Sequence, residues 1–209
     1  MKPHAVWYYD IISPYAYLQS ASLATLGDAL DITARPILLA GVLKHWGQLG
    51  PAEIAPKRTF IYRQCLWLAQ QRGIPFRMPP GHPFNPLGAL RLLTAIDATP
   101  AQAATALAFV FGEGNAVDDA SGLAHLADRL GVSPALGTDD AAKAALRTAT
   151  VAAVADGIFG VPTLVVDGQL FWGADSEGMV RAYLADPACF TCGEAVRMAT
   201  LPATAWRQA

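Results

Sequence analysis

The sequence predicts an α/β fold in which both ends of the chain feed one sheet and the middle is helical. Three observations carry this expectation. Residues 1–40 read as strand, helix, strand; residues 163–172 read as a tight hairpin; and the long stretch between repeats its apolar side chains at helical spacing.

Residues 5–9, Ala-Val-Trp-Tyr-Tyr, carry the aromatic and β-branched side chains that pack on a pleated surface, which predicts the first strand. At Ser13-Pro14 a helix starts: serine accepts from an otherwise orphaned N–H, and proline lacks the N–H that would have no partner there. That helix is expected to run to Leu26 and end at Gly27, with residues 32–39 forming a second strand parallel to the first. A Gly- and Pro-rich loop follows to residue 56. Residues 57–72 then show helical periodicity, with Phe60, Ile61, Cys65 and Leu68 facing inward. After a proline-dense loop at 74–86, further helices are expected at 87–96, 100–111, 121–130 and 139–155, without a repeat period. Asp167-Gly168 is a two-residue turn between strands Thr163–Val166 and Gln169–Trp172. Asp175 or Ser176 can cap a last helix through residue 184, and the tail from 186 to 209 is left unassigned. Segments 1–40 and 157–209 are therefore expected to form one discontinuous domain around a helical insertion at 41–156. That architecture is thioredoxin-like, with an inserted all-helical lobe.

With 209 residues, 53% of them hydrophobic and 15% charged, the chain can bury a substantial core, which argues against disorder. Fifteen basic residues against 17 acidic give a net charge of −2, which provides no field for nucleic acid or anionic lipid. The opening apolar run stops at Asp10, too soon for a secretion signal. No apolar run approaches the roughly 20 residues of a membrane span. Three cysteines fit a reducing compartment better than a disulfide scaffold. A cytoplasmic location, without nucleic acid or membrane partners, is the expectation.

The turn after the first strand of such a fold presents its side chain at a helix N-terminus, where aligned N–H groups stabilise an anion. Ser13 holds that place. Its hydroxyl is a poor unaided nucleophile but a suitable donor to an external thiolate; a plain helix cap is the competing reading. Val161-Pro162 stands where a cis-proline precedes the hairpin strand and leaves the backbone before it free to pair with an extended peptide. A trans-proline opening an edge strand is the alternative. Gly173, Ala174, Asp175 and Ser176 open the last helix, where N–H groups can hold a carboxylate and Asp175 an ammonium group, or merely cap. Together the three fit a tripeptide with a central thiol, a free amine and carboxylates. Glutathione is such a molecule.

Tyr9-Asp-Ile-Ile-Ser-Pro-Tyr-Ala-Tyr-Leu18, Arg35-Pro-Ile-Leu-Leu39, His82-Pro-Phe-Asn-Pro86, Gly157-Ile-Phe-Gly-Val-Pro-Thr163 and Phe171-Trp-Gly-Ala-Asp-Ser176 occur in an order that resembles the 2-hydroxychromene-2-carboxylate isomerases. These belong to the kappa-class glutathione transferase branch of the DsbA-like group. The resemblance implies that Ser13, where redox relatives carry cysteine, holds the glutathione sulfur. It implies that Val161 pairs with the cysteinyl backbone and that Gly173, Ala174, Asp175 and Ser176 bind the γ-glutamyl end. The implied reaction opens a cyclic hemiketal and turns a cis double bond conjugated to pyruvate into the trans isomer, a step in aromatic hydrocarbon catabolism with glutathione as catalytic thiol. A small aromatic substrate and a homodimer are implied too. Lys44 and Lys57 are candidates for the substrate's carboxylate and developing oxyanion, and Asn85 for a further hydrogen bond, although surface lysines and an Asx turn are ordinary readings. Gln48 departs from the asparagine common in the corresponding loop of these relatives, which bears on substrate choice.

Cys189-Phe-Thr-Cys192 has redox-pair spacing but lies far past the catalytic turn, and no further Cys pair or nearby His completes a zinc site, so no metal is expected. His4, His45, His82 and His125 read as surface or satisfied polar residues, Cys65 as core, and Tyr15, Tyr17, Phe60 and Trp67 as core at helical spacing, with Tyr15 also able to line the site. Three other functions stay open. They are a kappa-like transferase releasing a stable conjugate, a DsbA-like oxidoreductase using Cys189 and Cys192, and a catalytically silent glutathione-binding protein.

Overall fold

A computed structural model describes residues 1–205. Strands β1 (His4–Tyr9), β2 (Asp31–Pro36), β3 (Thr163–Val166) and β4 (Gln169–Trp172) form one sheet in the order β2-β1-β3-β4. As expected, β1 and β2 are parallel, with Trp7 opposite Ala34. β3 lies antiparallel to both β1 and β4, so the two ends of the sequence meet in the middle of the sheet. Asp167 (φ 49°) and Gly168 (φ 79°) are both left-handed, the turn geometry that matches the twist of a two-residue hairpin.

Helix α1 (Pro14–Leu26) joins β1 to β2; α2 (Leu39–His45), α3 (Ala55–Gln71), α4 (Leu87–Ala95), α5 (Pro100–Leu107), α6 (Ala120–Leu130) and α7 (Asp140–Ala155) fill the chain between β2 and β3. The sheet alternates its faces with period two. Trp7 and Tyr9 stack at 4.6 Å on the α1 side, where the Trp7 indole donates to Gln19. Tyr8 points the other way into a cluster with Val42 of α2, Ala153 of α7 and Val161. No helix among the described residues is long and apolar enough to cross a membrane.

Several sequence expectations need correction. The second strand stops at Pro36 instead of residue 39, and the supposed loop beyond it opens with α2. Proline cannot donate to the sheet ladder, and the N–H groups of Leu38 and Leu39 are taken by Thr150 Oγ1 and Asp10 Oδ2. On α3, Ile61, Cys65 and Ala69 form the buried line. Phe60 and Trp67, expected in the core, are each 56% exposed, because at about 100° per residue they fall on the opposite side. The helix expected to reach residue 111 changes to a wider π turn at Ala108–Gly112.

The chain divides into two compact units, Met1–Ala174 and the segment from Asp175 on. The second unit holds α8 (Glu177–Ala185), a short 3₁₀ turn at Pro187–Phe190 and α9 (Glu194–Ala199). Ser176 occupies the cap position of α8, and the rings of Tyr183 and Phe190 stack 6.4 Å apart. The unassigned tail is thus helical in part; its last four residues, 206–209, lie outside the described region.

Candidate functional site

β1 hands the chain to α1 across four residues, 10–13, and this turn forms one wall of a cavity of about 420 Å³. Ser13 is the N-cap of α1: its Oγ accepts the Ala16 N–H at 3.2 Å. The residue is 6% exposed and lines the cavity, and no described residue accepts its hydroxyl proton. A donor at a helix N-terminus, with its proton uncommitted, is suited to an anion brought from outside.

The turn is held from both sides. Asp10, fully buried, accepts the Ile12 N–H through Oδ1 at 3.0 Å and the Leu39 N–H through Oδ2 at 2.8 Å. Burial pushes its carboxyl up to about 7, against the opposing pull of those two N–H groups. His82 lies 2.8 Å from the Ile12 carbonyl through Nε2 and 2.8 Å from the Tyr62 hydroxyl through Nδ1. Burial lowers the pKa of the imidazole, and the Tyr62 hydroxyl also donates to the His82 carbonyl at 2.8 Å, so the residue is tied to the Ile12 carbonyl and to Tyr62 at once. His82 is thereby the satisfied polar residue that the sequence reading expected.

Val161 borders the same cavity. Its peptide bond to Pro162 is cis, and its own N–H and C=O make no hydrogen bond to any described residue. A residue with unpaired backbone groups and Ser13 thus border the same space. The walls between are apolar: Tyr15, Leu39, Leu43, Ile61, Phe84 and Trp172. The Trp172 indole packs edge-on to Phe159 at 5.3 Å and covers Gly160, where a Cβ would come within 2.7 Å of the indole nitrogen. At the rim are Gln48, Glu53 and Lys57. Glu53 is spent on the Gly50 N–H at 2.7 Å, whereas Lys57 has no carboxylate partner among the described residues.

The structure thus brings together Ser13, Val161 and Lys57, with Gln48 and Tyr15 beside them. Lys44 lines a different cavity. Asn85 is exposed and closes an Asx turn by accepting the Leu87 N–H at 3.1 Å. Gly173 and Ala174 are not among the lining residues: the Gly173 N–H donates to Pro162, and the carbonyls of Gly173 and Ala174 accept from Gln19 and Arg72. Asp175 and Ser176 stand in the turn before α8, in the second unit. Cys65 is core, its thiol pushed up to about 12 by burial, and Cys189 and Cys192 are free thiols of the second unit. Asp10 is the functional residue that the sequence reading missed. Its position two before Ile12 signals an Asx turn, but its bond to Leu39 depends on the tertiary fold.

A four-stranded sheet with a helix started at a buried serine, an antiparallel hairpin and a helical insert defines a thioredoxin-like protein that lacks the usual cysteine at its reactive turn. The family model of the DsbA-like thioredoxin domain matches residues 6–185, and the chain belongs to that family. It is similar to a 2-hydroxychromene-2-carboxylate isomerase of Pseudomonas putida, 29% identical over 188 residues, which cover 84% of this chain and 91% of that one. It is also similar to glutathione S-transferase kappa 1 of Rattus norvegicus, 26% identical over 199 residues, covering 85% and 88%. A solved structure of 2-hydroxychromene-2-carboxylate isomerase superimposes with a TM-score of 0.76 at 26% identity, over 90% of this chain and 97% of that chain. The resemblance read from the motifs and the thioredoxin-like fold class are both borne out.

Proposed function

We propose that this protein is a glutathione-dependent cis–trans isomerase acting on 2-hydroxychromene-2-carboxylate or a related aromatic hemiketal. The observation that carries the reading is the pair that borders one apolar cavity: Ser13, with an uncommitted proton at a helix N-terminus, and Val161, with an unpaired backbone. A peptide thiol meets both needs at once, its backbone pairing with Val161 and its sulfur accepting from Ser13. Gly173, Ala174, Asp175 and Ser176 are assigned to the γ-glutamyl end.

Bound there, glutathione supplies a nucleophilic thiolate that adds reversibly to a conjugated double bond and so permits rotation about it. The protein's part is to ionise and place that thiol and to steady the substrate. Ser13 donates to the sulfur and, with the α1 N-terminus, favours its ionised form. Tyr15, Leu43, Ile61 and Phe84 give an aromatic ring a dry surface, and Lys57 offers its ammonium to the substrate's carboxylate or developing oxyanion. Lys44 has no part in this cavity, and Asn85 is assigned only a rim contact. In this reading segments 1–40 and 157–209 hold the thiol, the insertion at 41–156 holds the ring, and the protein works as a cytoplasmic homodimer.

A second reading, a kappa-like transferase that releases a stable conjugate, is favoured by the similarity to the rat enzyme. Following the absorbance of 2-hydroxychromene-2-carboxylate with and without glutathione decides between them. The isomerase predicts conversion that requires glutathione yet leaves its concentration unchanged. Consumption of one glutathione per product supports the transferase, and conversion at the uncatalysed rate overturns both. A dithiol oxidoreductase would instead reduce insulin disulfides and lose that activity in Cys189→Ala.

A further inference from the structure

Helix α2 has a cavity on each side. Ala40 and Leu43 face the thiol-side cavity described above; Gly41, Lys44 and His45 face a second, larger one of about 800 Å³ between α2, α4 and α7. Its apolar lining is Leu38, which also borders the first cavity, Leu87, Leu146 and Val154, with the exposed Val151. Its rim is cationic, with Lys44, Arg91, Lys143 and Arg147 on three different helices. No carboxylate among the described residues lines it. Of the four cations only Lys143 has an acidic neighbour among the described residues, Asp140 at 3.9 Å, and that aspartate is 97% exposed.

The polar groups on the wall define the chemistry of a ligand. Arg91 Nε is buried and has no hydrogen-bond partner among the described residues. Thr150, the one hydroxyl on the wall, cannot serve that ligand. It already accepts the Leu38 N–H at 3.0 Å and donates to the Leu146 carbonyl at 2.8 Å. The side-chain donors left for a ligand are the four cations and the His45 imidazole. A cavity of this size suits a molecule of a few rings or a medium alkyl chain. We infer that this second cavity is a binding site for a small amphipathic anion, an apolar body carrying one carboxylate, sulfonate or phosphate, distinct from the thiol-side cavity on the other face of α2.

Fluorescence titration of the full protein with anilinonaphthalene sulfonate tests this. Saturable binding is expected that weakens about tenfold or more in Arg147→Glu, an exposed position where folding is not at stake, and also in Arg91→Gln, while Lys57→Glu in the other cavity leaves it unchanged. The uncharged phenylnaphthylamine should bind at least about tenfold more weakly than the sulfonate. Unchanged sulfonate affinity in a folded Arg147→Glu protein would overturn the proposal. So would a loss confined to Lys57→Glu, or equal binding of the uncharged analogue.

Discussion

Two helices start at the rim of the thiol-side cavity, and their first turns are satisfied in opposite ways. α1 is capped by its own sequence: Ser13 accepts from Ala16, three residues on. α2 has no capping side chain of its own. Leu38 holds the cap position, and the N–H groups of Leu38 and Leu39 go to Thr150, 112 positions away, and to Asp10, 29 positions away. A local cap leaves the serine hydroxyl proton free for an outside partner. A borrowed cap uses up the carboxylate and the threonine and makes α2 depend on the rest of the fold. The difference separates a turn with a donor left over for a ligand from one that shapes the wall beside it.

Substitution should separate these roles. Ser13→Ala is expected to lower kcat about a hundredfold by removing a donor to developing or resident negative charge, while losing only about 1 kcal/mol of stability from the cap. A denaturant melt and a turnover assay on the same preparation check both. Loss of stability with kcat intact would reduce Ser13 to a cap. Asp10→Ala should do the reverse, costing about 2 kcal/mol because two buried N–H groups lose their acceptor, with the loss felt at α2 as faster amide exchange at Leu39.

Asp10 also gives the comparison a pH dependence. Its carboxyl titrates at about 7 in the folded protein against an ordinary 3.8, so between those values the folded state holds a proton that the unfolded state has released. Stability contributed at Asp10 therefore falls as pH rises from about 4 to about 7 and then levels. The difference in unfolding free energy between wild type and Asp10→Asn, measured across that range, should move against the wild type as pH increases; a flat difference would show that the carboxyl stays ionised throughout. Smaller still, Thr150→Val keeps shape but strands the Leu38 N–H, for about 1 kcal/mol in a denaturant melt. Lys57→Ala should raise KM by about twofold to fivefold with little change in kcat, since an exposed ammonium contributes at most about 1 kcal/mol to binding.

The same contrast governs what could be read from the sequence. Strand β1, the Ser13-Pro14 helix start and the Asp167-Gly168 hairpin rest on neighbours within a few residues, and all three were legible. α2 was not: Pro36-Ile37-Leu38-Leu39 looks like the end of a strand until Thr150 and Asp10 are brought to it. Phe60 and Trp67 misled for a related reason, since helical spacing shows that residues share a face without showing which face is buried. Ser13, Val161 and Lys57, named from motif and order, line one cavity. Lys44 lies on the α2 face turned away from the thiol-side cavity, a detail of helix phase that no local pattern encodes.

The most direct test of Ser13 as partner to a borrowed thiol is the ionisation of glutathione bound to the protein, followed by the ultraviolet absorbance of the thiolate as pH is raised. In the wild type the bound thiol should ionise at a distinctly lower pH than free glutathione, and Ser13→Ala should return it most of the way toward the free value. The same thiol pKa in both proteins would contradict the role assigned to Ser13.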